Sequence, residues 1–350
     1  MELRRLKLKN FRNHGDREFE FCGGVNVICG ENGVGKTNVL EAIHLLATSK
    51  SHRGVGEREM VLWGEEFASV NAEFMARERD NTAAAKLAAT RRKQFVKNGV
   101  GVQKTSDLMG FLSVVMFAPD DLQIIKGAPQ ARRRMLDLAI CQMSKKYFHL
   151  LSAYGRVLMQ KNRLLKSGLE GAKVIAAIEP WNAQMAIYGA QIGSYRARYI
   201  DEIQRPASEK FRGIMERDLE VRYVGVGAGC EKLGEELERV LEKEVRYRQA
   251  LVGPHRDDFE VSIGGADARV YASQGQQRAA IICLKMAQVA VLGEKSGELP
   301  ILLLDDVMSE LDEVRRRFIL EHASGGGQTI LTTTGWKFSD DLRIDNVVDL

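Results

Sequence analysis

One eight-residue segment constrains the fold of this chain more than any other feature. Residues 30–37, Gly-Glu-Asn-Gly-Val-Gly-Lys-Thr, match the pattern G-x-x-x-x-G-K-S/T. A β-branched run at 25–29 precedes the segment, and residues 37–47 after it have the apolar spacing of a helix. Glycines let a backbone wrap closely around phosphate oxygens, while the loop amides and the helix N-terminus offer them partial positive charge. The segment therefore predicts a nucleotide-phosphate loop in an α/β P-loop NTPase.

The residues of this loop have separate expected roles. Lys36 should act catalytically by reaching the β and γ phosphates of ATP, and the Thr37 hydroxyl should ligate Mg²⁺. The expected nucleotide-binding residues are Gly30, Glu31, Asn32, Gly33, Val34, Gly35, Lys36 and Thr37.

A pair of carboxylates far along the chain predicts the other half of the site. The apolar run Ile301–Leu304 ends in Asp305 and Asp306. A buried parallel strand would place both carboxylates at its C-terminal end, beside the phosphate loop. Asp305 would then hold Mg²⁺, directly or through water, and Asp306 would orient or deprotonate the attacking water. The structural alternative is an ordinary strand that ends in two solvated acids.

The separation of the two motifs selects one class of P-loop protein. The chain has no N-K-x-D guanine motif, which disfavours a GTPase. An ABC-type ATPase head fits the separation, and that class requires a Ser-Gly-x-Gln-like signature at the start of a helix. Residues 273–278, Ser-Gln-Gly-Gln-Gln-Arg, meet the requirement, with Ser273 placed as a helix N-cap. We expect Ser273 and Gln276 to act in trans, on the γ-phosphate held by a second subunit.

Two further segments lie where ABC-type heads carry their communicating and switch loops. Ser309-Glu310-Leu311-Asp312 follows the carboxylate pair, and Thr332-Thr333-Thr334 follows the last predicted strand of the head. A threonine would stand where transporter ATPases usually have a switch histidine.

The pattern of predicted elements indicates two lobes. The ATPase lobe should comprise residues 1–118 and 251–350, and residues 119–250 should form an inserted, mostly helical second lobe. Two long helices are predicted at about 130–168 and 181–217, around a break at Glu179-Pro180, with a third at 231–249. Strands are expected near 69–75, 84–90, 259–263 and 269–271, and Asn98-Gly99 predicts a hairpin turn.

Basic residues cluster in two stretches, although the net charge is only +4. Residues 126–166 contain ten Lys and Arg and one acid, Asp137, and residues 81–106 contain no acid. Such stretches can follow a phosphate backbone without sequence specificity. The candidate DNA-binding residues are Arg132, Arg133, Lys145, Lys146, Arg91, Arg92 and Lys93. A solvated helix face is the alternative for each residue, and an ion-pair network is the alternative for residues 132–134.

Other classes of protein are disfavoured by composition. No apolar run approaches the roughly 20 residues of a membrane span, and no signal-peptide region follows Met1. The five cysteines are scattered and never spaced C-x-x-C, so we expect reduced thiols in a cytoplasmic protein without a zinc site.

Several segments together resemble the RecF family of bacterial recombination-mediator ATPases, which is related to SMC-type heads. They are Leu8-Lys9-Asn10-Phe11-Arg12-Asn13-His14, Phe117-Ala118-Pro119-Asp120-Asp121-Leu122, Arg132-Arg133-Arg134-Met135-Leu136-Asp137, Gly253-Pro254-His255-Arg256-Asp257-Asp258, the signature and the carboxylate segment. Ser51-His52-Arg53-Gly54 departs from the family, which usually has an aromatic residue before the arginine.

The resemblance implies a two-lobe, SMC-like ABC-type head that hydrolyses ATP weakly and in response to DNA. It implies an ATP-dependent homodimer that binds gapped or junction DNA, acts with RecR and RecO to load recombinase, and serves replication and the SOS response. An SMC-like scaffold in chromosome organisation or phage defence is one alternative, although the predicted helices are too short for a long coiled coil. A transporter ATPase subunit is the other, disfavoured by the atypical signature and the basic lobe.

Overall fold

The computed structural model describes residues 1–88, 92–168, 172–225, 229–323, 326–335 and 344–350. The strands, in chain order, are β1 Glu2–Phe11, β2 His14–Glu20, β3 Val25–Cys29, β4 Phe67–Ala76, β5 Arg79–Ala88, β6 Gln94–Lys97, β7 Val100–Gly101, β8 Val114–Phe117, β9 Leu219–Val224, β10 Asp258–Ile263, β11 Ala266–Asp267, β12 Ile301–Leu304, β13 Thr329–Thr333 and β14 Asn346–Asp349. The helices are α1 Lys36–Thr48, α2 Gln123–Lys126, α3 Pro129–Met143, α4 Lys145–Leu165, α5 Ala172–Met215, α6 Cys230–Arg239, α7 Leu241–Tyr247, α8 Ala268–Tyr271, α9 Gln274–Ser296 and α10 Glu313–Ala323. Among these, no helix is long and apolar enough to cross a membrane.

The chain divides into two compact units. Unit 1 comprises Met1–Asp121, Gly213–Met215 and Arg278–Leu350, and unit 2 comprises Leu122–Arg212 and Glu216–Gln277. The first boundary lies three residues beyond the expected position at 118. The expected boundary at 250 falls inside unit 2, because β10 pairs with β9 along its whole length and so belongs to that unit.

A parallel sheet in unit 1 brings the two predicted phosphate motifs to one edge. Its strand order is β14-β3-β13-β12-β8, and every neighbouring pair is parallel. All five residues of β3 and all four of β12 are buried, as expected for strands covered on both faces. The loops after β3, β12 and β13 therefore leave the sheet on the same side.

An antiparallel sheet of order β2-β1-β4-β5-β6-β7 also belongs to unit 1. Asn98 and Gly99 make the predicted turn between β6 and β7, both with positive φ, which confirms the hairpin.

The side chain of Gln328 hydrogen-bonds to β1 in the way that the backbone of a neighbouring strand would. Its Oε1 accepts from Leu3 N and its Nε2 donates to Leu3 O, both at 2.7 Å.

The long helices of unit 2 break at a different place from the one predicted. The first predicted helix is divided into α3 and α4 at Ser144, whose Oγ accepts from Tyr147 N at 3.2 Å and caps α4. The break predicted at Glu179-Pro180 is wrong, because α5 continues through both Pro180 and Pro206. Buried residues recur on both sides of Pro180, so packing maintains the helix despite the lost hydrogen bond.

Among the described residues, unit 2 also contains two strands that were not predicted, β9 and β11, beside β10, which confirms the strand expected near 259–263. A three-stranded sheet of order β11-β10-β9 accompanies the helices, and residues 269–271, predicted as a strand, belong to the one-turn helix α8. The helix predicted at 231–249 is two helices, α6 and α7, which meet at Val240. In unit 1, β14 was likewise missed.

Two of the segments that carry the family resemblance, residues 132–137 and 253–258, contact each other inside unit 2. Arg132 makes a bidentate ion pair with Asp258, at 2.6 and 2.9 Å, and Arg133 donates to Asp257 O. Asp137 accepts from Tyr147 Oη at 2.5 Å and pairs with Arg196. These segments form a buried polar network, which holds α3, α5 and the turn before β10 together.

His255 belongs to the same network and is held in its neutral form. Its Nδ1 lies 2.7 Å from Tyr154 Oη and its Nε2 lies 3.3 Å from Ala250 O. A neutral ring with the proton on Nε2 satisfies both neighbours, since the tyrosine then donates and the carbonyl accepts. Burial lowers the pKa of His255 to about 4.

This histidine predicts a loss of stability in acid. The unfolded chain binds the proton near pH 6.5 and the folded chain only near pH 4, so stability decreases as the pH falls below about 6.5. Urea unfolding between pH 8 and 5 should show the decrease, and His255→Asn should flatten it while lowering stability at pH 8. An equally steep decrease in His255→Asn would assign the effect to other groups.

Candidate functional site

Three glycines shape the loop between β3 and α1. Gly30, Gly33 and Gly35 have φ of 154°, 87° and 113°. A Cβ at Gly30 would lie 2.8 Å from Leu350 O, and one at Gly35 would lie 2.5 Å from Asn13 Oδ1. Both backbone conformation and space therefore require glycine at positions 30 and 35.

The ammonium group of Lys36 lies within the loop that it terminates. Its Nζ donates to Gly30 O and to Glu31 O, each at 2.7 Å, and the residue is buried. Helix α1 starts at Lys36 with Gly35 as its N-cap, no capping side chain and no acid in its first turn. The positive end of α1 and a lysine are thus presented together, which suits a phosphate.

The turn between β1 and β2 holds the carbonyl side of the loop. Asn13 Nδ2 donates to Val34 O at 2.8 Å, and His14 Nε2 lies 3.1 Å from Gly35 O. Burial lowers the pKa of His14, which favours the neutral ring. With their carbonyls bound in this way, the loop residues are fixed in one conformation.

Arg12 anchors this turn to α1. Its guanidinium makes two bonds to Glu41, at 2.7 and 2.8 Å, and a third to Glu59 O. Ser51 also donates to Glu41. Burial alone would raise the pKa of Glu41, but the bonds from Arg12 and Ser51 lower it, so the ion pair persists at neutral pH.

A hydrogen bond joins the loop to the carboxylate pair. Thr37 Oγ1 donates to Asp305 Oδ1 at 2.7 Å, across 268 positions of sequence. Thr332 Oγ1, on the strand between β3 and β12, donates to the same oxygen at 3.0 Å and accepts from Asp306 N at 2.9 Å. Asp306 has φ of 50°, a left-handed turn that redirects the chain directly after Asp305.

The donor set suits Mg²⁺. A hydroxyl and a carboxylate oxygen, Thr37 Oγ1 and Asp305 Oδ1, adjoin each other next to a phosphate loop, and hard oxygen ligands are those that Mg²⁺ prefers. Asp305 is 4% exposed, so a cation there would neutralise an almost buried charge.

The predicted signature begins helix α9 with a closed capping box. Ser273 Oγ accepts from Gln276 N at 3.3 Å, and Gln276 Oε1 accepts from Ser273 N at 2.9 Å. The predicted N-cap is thus confirmed. The box uses one acceptor of each side chain and leaves the Ser273 hydroxyl hydrogen and the Gln276 NH₂ as donors. The signature therefore presents donors at a helix N-terminus, as an anion requires.

Comparison with known proteins places this chain in a family. A model described as an AAA domain matches residues 5–126. The DNA replication and repair protein RecF of Symbiobacterium thermophilum is 41% identical over 346 residues, which cover 95% of this chain and 92% of that protein. RecF of Desulfitobacterium hafniense is 40% identical over 345 residues, which cover 95% and 93%. The chain belongs to the RecF family.

Solved structures agree with this assignment and confirm the predicted fold class. The recombination mediator RecF with ATP, described as part of the RecFOR pathway, has a TM-score of 0.92 and 35% identity over 99% of this chain and 95% of that chain. The Smc head domain of Pyrococcus furiosus has a TM-score of 0.54 and 17% identity over 96% and 90%. The second likeness shows the fold alone: an ABC-type, SMC-like head.

The structure separates the basic residues proposed for DNA in this RecF-family chain. Arg132 is 5% exposed and bound to Asp258, an acid 126 positions away in the sequence, which favours the alternative of an ion-pair network over a contact with DNA. Arg133 is half-buried, and Lys93 is paired with Glu57 at 2.8 Å. Lys145, Lys146 and Arg92 are exposed. Arg91 lies outside the described residues, as do the side chains of Ser309 and Glu310.

Sequence reasoning missed the residues that hold the RecF-family site together. Asn13 and His14 carried the resemblance, but no role for them was predicted, because nothing in sequence places a turn against a loop 20 residues away. Thr332 was expected only as a switch position, and it also bonds to both carboxylate residues. The parallel order β3-β13-β12 explains that contact.

Replacing the Thr37 hydroxyl should separate metal-dependent from metal-independent binding. Thr37→Val should weaken ATP binding with Mg²⁺ about tenfold or more, the effect of losing one hydroxyl ligand, and should change binding in EDTA by less than about threefold. Isothermal titration with and without Mg²⁺ measures both. Thr329→Val is the matched control, because Thr329 Oγ1 is buried without a hydrogen-bond partner. An equal loss with and without Mg²⁺ would contradict a ligand role for Thr37.

Proposed function

We propose that this chain is an ATP-dependent DNA-binding protein of recombinational repair and replication. Its ATP-bound dimer holds DNA at gaps or junctions, and acts with RecR-like and RecO-like partners to load recombinase and support the SOS response. Slow, DNA-dependent hydrolysis of ATP resets it in the cytoplasm. Membership of the RecF family supports the pathway, and the names of its relatives support repair and replication.

The bond between Thr37 and Asp305 is the observation that carries the ATPase part of the proposal. It brings the loop that would bind the β and γ phosphates against the carboxylate that would bind Mg²⁺. Within the described part of the chain, Lys36 Nζ donates to two carbonyls of its own loop at 2.7 Å, and these are neutral partners that a phosphate oxygen can replace.

Each residue around this bond then has a specific role in hydrolysis. Residues 30–37 bind the phosphates, and Thr37 with Asp305 holds Mg²⁺, which supplies positive charge to the phosphate oxygens. Asp306 orients or deprotonates the attacking water, and its backbone is fixed by Thr332. Asn13 and His14 are positioning residues, since they bind carbonyls of the loop and fix its conformation.

Completion of the site by a second chain makes ATP a link between two molecules. Ser273 and Gln276 are exposed or half-buried at the start of α9, with donors directed away from the capping box. A γ-phosphate held by another copy would accept these donors. Hydrolysis removes that acceptor and reopens the dimer.

The outer face of α4 is the surface that we assign to DNA. Between Lys145 and Lys166 the sequence has no acid, and its exposed basic residues recur with helical spacing: Lys145, Lys146, Arg156, Arg163 and Lys166. Lys161 faces inward, where it pairs with Glu244 at 2.6 Å. A 21-residue helix is about 32 Å long, which matches roughly nine phosphates of one strand.

One experiment tests the ATP-dependent dimer and its hold on DNA. Light scattering with gapped duplex DNA, with and without ATP-Mg²⁺, compares the parent with Asp306→Asn and Ser273→Arg. ATP should convert the parent to dimers, Asp306→Asn should keep them on DNA because hydrolysis is blocked, and Ser273→Arg should abolish them. A parent that remains monomeric with ATP and does not bind DNA would refute the function.

A salt titration tests the assignment of DNA to α4. The double variant Arg156→Gln, Arg163→Gln should weaken DNA binding and reduce the slope of log K against log salt by about two, one unit per lost phosphate contact. Arg132→Gln should leave the slope unchanged and lower the melting temperature, since Asp258 loses its partner. Arg205→Gln is the control, because Arg205 is exposed but paired with Glu209. An unchanged slope in the double variant would place DNA elsewhere.

A further inference from the structure

Two large apolar side chains are exposed directly before the signature. Val270 is 65% exposed and Tyr271 is 75% exposed, on the one-turn helix α8. Tyr271 is separated from Ser273 by Ala272 alone. Ala268, at the other end of the turn, is fully buried. The outward side of α8 therefore carries two apolar side chains beside the exposed Arg269, and neither of the two contributes to the core of unit 2.

The structure holds this pair in a fixed position relative to Ser273. Asp267 Oδ1 accepts from Arg269 N at 2.8 Å and starts the turn. Gln277 is 2% exposed, and its Nε2 donates to Ala268 O at 2.9 Å, so the first turn of α9 is bonded to α8. The signature thus has two structural roles. Ser273 and Gln276 cap α9, and Gln277 fixes the position of α8, which precedes the signature.

Both apolar residues lie close to Ser273 along the chain. Two residues of chain span at most about 7 Å and three span at most about 11 Å, which limits the distances of Tyr271 and Val270 from Ser273. A standard interface buries about 800 Å² on each partner, which corresponds to a patch some 16 Å in radius. If a second copy covers Ser273, as in the proposed function on which this inference rests, a contact of this size centred on Ser273 includes Tyr271 and Val270.

We propose that Val270 and Tyr271 are the apolar anchor of the ATP-dependent contact between two copies of this chain. Polar groups at Ser273 and Gln276 give that contact its dependence on the γ-phosphate. The anchor supplies the apolar area, and aromatic residues at the centre of an interface commonly carry most of its affinity. The nucleotide then selects when the chains join, while Tyr271 and Val270 set how tightly they remain joined.

The test measures dimer affinity separately from nucleotide affinity. Sedimentation velocity at saturating ATP-Mg²⁺ gives the dimer dissociation constant, and binding of fluorescent ATP at nanomolar protein gives the affinity of the monomer. Tyr271→Ala and Val270→Ser should each weaken the dimer at least about tenfold, and Tyr271→Ala about thirtyfold, as for a central aromatic residue. Monomer affinity and melting temperature should not change, because both side chains are exposed. Tyr271→Phe should restore the dimer to within about threefold.

Tyr247→Ala is the matched control, since Tyr247 is 61% exposed on α7, away from the signature. Ser273→Arg separates the two proposals. If the parent dimerises with ATP, Ser273→Arg does not, and Tyr271→Ala dimerises like the parent, the anchor is refuted and the proposed function stands. If Tyr271→Ala lowers DNA affinity and leaves the dimer unchanged, the pair contacts DNA and the anchor is again refuted. A parent that never dimerises refutes both.

Discussion

The site depends on one hydrogen bond between parts of the chain that are distant in sequence. Thr37 and Asp305 meet at 2.7 Å because β3 and β12 lie in one parallel sheet with a single strand between them. That strand supplies Thr332, whose hydroxyl binds Asp305 and the backbone of Asp306. The buried strands, the left-handed turn at Asp306 and the glycines of the loop all serve this junction. A shift of any of the three strands by one residue would separate its members.

The chemistry of the site could be predicted because short sequence motifs specify it. A glycine loop before Lys36 and an acid pair after an apolar run each imply a strand, a turn and a ligand type, and the structure places them together. The signature added a helix start, and Ser273 is its cap. In these segments local conformation and function require the same residues, so local reasoning is sufficient.

Local patterns were not sufficient where the conformation or burial of a residue depends on partners that are distant in the sequence. Pro180 reads as a helix end, but α5 continues because its buried residues on either side pack in one row. For Arg132 the sequence left both a DNA contact and an ion-pair network open, because its partner Asp258 lies 126 positions away in the chain. Strand β9 was missed because its pairing partner, β10, lies beyond α6 and α7. In each of these cases, the contact that decides the local structure is not visible as a pattern in the neighbouring residues of the sequence.

At the capping box of α9, helix stability and phosphate binding favour different side chains at position 276. Helix starts of this type accept glutamate as readily as glutamine at the fourth position, and a negative charge there would also favour the positive end of the helix. Glutamate at position 276 would therefore suit the monomer at least as well. It would offer no N–H and would repel a phosphate. Selection for stability alone would not keep an amide at Gln276. The amide therefore indicates a requirement for an N–H donor that the isolated chain does not have.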